Sequence, residues 1–115
     1  MTATQQLKML VPALLKAVPE FQPDDEDVRE NNAYLVFEGL VQFAFDLHPE
    51  SDLLVLRRIF AFLEDASRNS DKEVQMLLHD VAWSMAEHWK LAELRSLIGP
   101  HMMKFIKMSP AGGKR

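Results

Sequence analysis

The chain has 115 residues with a formal charge of −4, 48% of them hydrophobic and 26% charged, the make-up of a single globular domain with one core. Without cysteine it cannot build a disulfide framework, a thiolate zinc site or a cysteine nucleophile. Its mild acidity disfavours a non-specific grip on nucleic acid or anionic membrane.

Leu7, Leu10, Val11, Leu14, Leu15 and Val18 recur at helical spacing, so a first helix is expected from Ala3 to Ala17. Pro12 lies inside it. An interior proline costs ~3 kcal/mol by removing a hydrogen bond and crowding the preceding turn. The helix therefore either kinks at Val11 or ends early and restarts at Pro12. The segment from Met1 to Gln6 has no basic residue, and Lys8, Pro12 and Lys16 interrupt the apolar run, so no signal peptide is expected. Pro19 stops the element and Phe21 folds back as an apolar anchor.

From Gln22 to Glu30 the chain turns acidic, with Asp24, Asp25, Glu26, Asp27 and Glu30 opposed by Arg29. Two readings stand: a solvated loop or opening helical turn, or a docking patch for a basic partner. Asn31 or Asn32 caps the next helix, about Ala33 to Leu47, with Val36, Leu40, Phe43 and Leu47 on one face and Phe37, Val41 and Ala44 beside it. Glu38, Gln42 and Asp46 form a polar seam of helical period, which decides against a strand. Gly39 costs about 1 kcal/mol in a helix and marks a candidate close crossing with a neighbour. The pair His48-Pro49 ends the element.

Ser51 to Trp89 reads as an αα-hairpin, the centre of the fold. Its first helix carries Leu53, Leu56, Phe60 and Leu63 beside Val55, Ile59, Phe62 and Ala66, with Arg57, Arg58, Ala61, Glu64, Asp65 and Arg68 on the wet arc. Ser70 is the expected N-cap of the second helix, and Val74, Leu77, Leu78, Val81, Ala82 and Met85 make its core stripe. After a break at Trp89-Lys90, a short helix holds Leu91, Leu94, Leu97 and Ile98 and closes at Gly99; Pro100 opens the last, with Met103, Ile106 and Met102 inward. The expectation is an all-α fold, a compact bundle of five or six helices around the hairpin. Residues 1–108 form one domain and residues 109–115 a disordered tail.

His79-Asp80 has the form of the paired ligands in HD-type metal phosphohydrolases, but no aspartate follows Asp80 to complete the set. No other metal spacing, nucleophile elbow or glycine-rich phosphate loop is present. The expectation is no enzyme, no cofactor and no metal. Met76, Asp80, Trp83 and Glu87 instead recur at i, i+4, i+7 and i+11 beside the core stripe. Tryptophan framed by carboxylates suits an interface with a basic protein. The competing reading has Trp83 packed under the terminal helices. Asp80, Trp83, Glu87 and Met76, with Asp24, Asp25 and Asp27, are the candidate partner-binding residues.

The pattern Leu56-x-x-Ile59-Phe60-x-Phe62-Leu63-Glu64, then Asp71-x-Glu73-Val74-x-x-Leu77-Leu78 and Glu87, resembles the small all-α immunity proteins of bacterial polymorphic-toxin systems, of the Rhs and contact-dependent type. The resemblance spans Tyr34 to Ile106. It implies a cytoplasmic protein that binds and neutralises a cognate toxin effector domain, with no catalysis of its own; the expectation of no nucleic acid and no membrane partner comes from the acidic charge balance. Two alternatives remain, a helical adaptor that holds another protein or peptide in a groove and, more remotely, an HD-like hydrolase.

Overall fold

In the computed structural model, which describes residues 5–88 and 90–108, every regular element among those residues is helical. The order is α1 (Gln5–Ala17), α2 (Asp25–Arg29), α3 (Ala33–Asp46), α4 (Leu53–Ser67), α5 (Lys72–Ala86), α6 (Leu91–Leu94), a 3₁₀ turn (Arg95–Leu97) and α7 (Pro100–Met108). This is the expected all-α bundle around a hairpin, with the acidic segment forming a short helix of its own. The start of the first helix before Gln5, the break at Trp89 and the tail of residues 109–115 lie outside the described residues. No helix among those described is long and apolar enough to cross a membrane.

The central hairpin forms as its periodicity requires. Leu56, Ile59, Phe60 and Leu63 of α4 are buried, as are Val74, Leu77, Leu78, Val81, Ala82 and Met85 of α5. Fully burying one such side chain is worth about 1.5–3 kcal/mol, so the two stripes dominate the energetics of the hairpin. Helix α5 is the hub, packing against α1, α3, α4 and, most extensively, α7. The cap between the hairpin helices is Asp71 rather than Ser70. Its carboxylate accepts from the N–H groups of Glu73 and Val74, both at 3.1 Å. A carboxylate at this position also complements the helix dipole, which a serine would not.

Pro12 neither ends nor splits α1, which runs through it. Proline at 12 deprives the Lys8 carbonyl of its helical donor. Asn31 replaces that donor, its side-chain amide reaching the Lys8 oxygen at 2.9 Å. Asn31 sits at φ 51°, in the left-handed region that asparagine tolerates better than most residues. Its neighbour Asn32 caps α3, accepting from the Leu35 N–H at 3.3 Å. One asparagine therefore ties the α2–α3 link to α1 while the other starts α3.

Two further expectations are corrected. Gly39 marks no helix crossing, because a Cβ there would meet only the Phe21 ring, at an ordinary 3.7 Å. In α3, Phe45 is buried while Phe43 and Leu47 are only partly so. The run is apolar nearly all round, which blurs the direction of its core face.

Glu64 is the larger correction. Assigned to the wet arc, its side chain is 13% exposed and reaches the N-terminus of α7. Its carboxylate accepts from the His101 N–H at 3.0 Å, the Met102 N–H at 3.1 Å and the His101 Nδ1 at 2.7 Å. Gly99 thus caps the start of α7 rather than the end of α6, with its carbonyl accepting from Met103 N–H and Pro100 in the favoured first helical position. Gly99 has no side chain to cap with, and a Cβ there would overlap the Glu64 carboxyl group. Glu64 supplies the missing cap from another helix. Burial alone would push its pKa up, but the two backbone N–H groups and the His101 ring outweigh that and hold it below the usual carboxylate value.

These two contacts yield two predictions. Asn31→Ala should destabilise the fold by about 1 kcal/mol, the usual worth of such a bond. In a Pro12→Ala background, where the Lys8 carbonyl regains a backbone donor, that penalty should shrink in denaturant melts; equal penalties in both backgrounds would refute the link. For Glu64 the folded pKa lies below the unfolded one, so its contribution is complete above the unfolded value and lost as pH falls through the folded one. Glu64→Ala should cost about 1–2 kcal/mol at neutral pH, the range for a lost cap. The gap to the parent should close on acidification; a gap independent of pH would mean that the charge is not what caps α7.

Candidate partner-binding face

The elements around α5 leave one strip of it uncovered. His79 packs its ring edge-on against Phe105 of α7, centroids 4.6 Å apart. On the other edge Tyr34 of α3 lies close enough to Asp80 and Glu73 to feel their charges. Tyr34 near the start of α3 is matched with the stretch of α5 between Glu73 and Asp80. Phe45 near its end packs at a tilt against the His88 ring just beyond α5, with centroids 4.3 Å apart, so the two helices run parallel. Lys90 fixes that end by donating to the Phe45 carbonyl at 2.9 Å.

Within this strip Met76, Asp80, Trp83 and Glu87 are all exposed. Trp83 keeps 48% of its surface and Met76 62%, so Trp83 is not packed away under the terminal helices. The chemistry of the strip is therefore apolar and aromatic area alternating with carboxylates. Tyr34, 39% exposed, adds a second aromatic that is not among the candidate partner-binding residues expected from the sequence. The available signal was its place at the second position of α3, on the polar side of that helix. Burial pushes the Tyr34 pKa up, and the Asp80 and Glu73 carboxylates push it further.

The α2 carboxylates stand on a different element, which packs against α3. Asp24 accepts from the Glu26 N–H at 2.9 Å and is the N-cap of α2. Asp25 and Asp27 occupy its first turn, where negative charge favours the helix. The acidic run thus has a local structural use, and α5 carries the better-formed surface.

Among the described residues no group of three or more His, Asp or Glu side chains is placed to hold a metal ion. A shallow cavity of about 600 Å³ lies between the α3–α4 loop and α6, lined by His48, Pro49, Glu50, Ser51 and Glu93. Asp52 stiffens that loop, accepting from the His48 N–H at 3.0 Å while its own N–H donates to the His48 carbonyl at 2.8 Å.

Residues 11–108 match the protein family described as Domain of unknown function (DUF7674). No curated protein and no solved structure matches the chain.

Tyr34 is the single tyrosine of the chain, so the ultraviolet absorbance of its phenolate can be titrated without interference from another. It should ionise above the ordinary tyrosine value. Asp80→Asn should bring it part of the way back, with burial, the larger cause, accounting for the rest. An unchanged titration in Asp80→Asn would mean that α3 and α5 are not apposed here.

Proposed function

The chain belongs to the DUF7674 family, and we propose that it is a protein-binding domain that acts as the immunity partner of a toxin domain, without catalysis of its own. The observation that carries the reading is Trp83, 48% exposed between Asp80 and Glu87 on a helix whose other faces are taken by the core. Exposing an indole forgoes burial that the core could have supplied, and tryptophans at the centre of a patch are the residues that most often dominate interface energies. The flanking carboxylates select a cationic partner surface, because charge complementarity steers encounter and penalises wrong partners. A basic toxin domain, such as one that acts on nucleic acid, has that chemistry. The immunity role itself rests on the resemblance in the central hairpin.

The test is growth protection against the toxin domain encoded beside this chain, with surface kinetics on the purified pair. Trp83→Ala should speed dissociation by about thirtyfold, the equivalent of a 2 kcal/mol hot spot. Asp80→Asn with Glu87→Gln should slow association instead, and that loss should shrink as salt is raised. Variants that fold by circular dichroism and protect like the parent would remove this face from the interface.

A further inference from the structure

The outer face of α1 carries a feature that the partner-binding reading does not use. Lys8, Met9, Pro12, Ala13 and Lys16, with Gln5, line a shallow groove of about 360 Å³, within the size range that takes a small ring system. Its floor is apolar and a lysine stands toward either end. The α5 strip is its counterpart in every respect: an aromatic knob, Trp83, with a carboxylate on either side. Asp80 and Glu87 are seven residues apart, about 10.5 Å along a helix, and Lys8 and Lys16 are eight apart, about 12 Å. A lysine side chain easily absorbs that difference. The ion pairs among the described residues join Arg58 to Glu20 and Glu64 to Arg68 and His101, so none of these four charges is engaged in one.

We propose that this chain self-associates head to tail, with Trp83 of one copy seated in the α1 groove of the next and Asp80 and Glu87 paired with Lys8 and Lys16. Within one molecule α1 and α5 pack against each other through their buried faces, so groove and knob point away from one another and meet only between copies. The contact is heterologous: each copy that uses its knob still offers its groove. Such contacts grow into chains unless the rotation between copies closes a ring. Because the knob is the Trp83 strip, self-association covers the face proposed for the toxin, and a foreign partner would have to displace a second copy. The proposal shares that face with the partner-binding reading but depends in addition on α1.

Sedimentation velocity of the purified chain over a range of concentrations tests it. The parent should gain mass with concentration, less so at high salt. Trp83→Ala should weaken association by about thirtyfold, and Lys8→Glu with Lys16→Glu should do likewise. An equimolar mixture of these two variants, at concentrations where neither associates appreciably alone, should form a dimer and stop there, since each supplies the surface that the other has lost. A parent that stays monomeric, a double-lysine variant that still associates, or a mixture that forms no dimer overturns the proposal. The double-lysine variant also separates the two readings, because it should keep the protection against the toxin that Trp83→Ala loses.

Discussion

One carboxylate closes the bundle. Glu64, at the end of α4, accepts the first free N–H groups of α7 and the ring of His101. A helix of nine residues is too short to hold itself together in water, so α7 depends on tertiary contacts for its existence. Its apolar side, Met102, Phe105 and Ile106, is buried, but burial alone leaves the helix start open and its rotation loosely set. The Glu64 cap fixes both, and the bare backbone at Gly99 is what lets the carboxylate approach. With α7 seated on one edge of α5 and α3 on the other, the uncovered part of α5 is reduced to the Trp83 strip.

Regular burial was legible in the sequence because it is periodic. The α4 and α5 stripes, the seam of Glu38, Gln42 and Asp46, and the ends imposed by Pro19 and Pro49 all follow from patterns that a short window contains. The polar contacts that fix the architecture do not. Glu64 reaches over 37 residues to His101, and Asn31 over 23 to Lys8. Within its own helix Glu64 looks like any charged residue on a wet face. Pro12 left a kink and a break equally open for the same reason, since its compensation lies on another element. Phe105 escaped notice because the short α7 holds too few residues to establish a period.

The candidate face was half legible. The spacing of Met76, Asp80, Trp83 and Glu87 placed them on one stripe, but whether that stripe faced the terminal helices depended on where α7 and α3 would lie. The parallel pairing of α3 with α5 also brings Tyr34 to the strip, a juxtaposition of residues some forty positions apart.

Among the described residues no buried side-chain nitrogen or oxygen lacks a hydrogen-bond partner. Unsatisfied buried groups are where folds store strain or reactivity, and here the inward-reaching polar side chains, Glu64 and Ser67, are both taken up by helix ends. What the molecule offers to another is therefore on its outside: an indole, a thioether and a phenol set among carboxylates on α5 and α3, and a lysine-flanked groove on α1. Both surfaces combine apolar area, which sets how long a contact lasts, with charge, which sets how often it forms. If the same strip serves a second copy and a foreign protein, the two equilibria are linked. Each then lowers the apparent affinity of the other in proportion to its own occupancy, so a high local concentration of this chain would raise the threshold at which a foreign partner is bound.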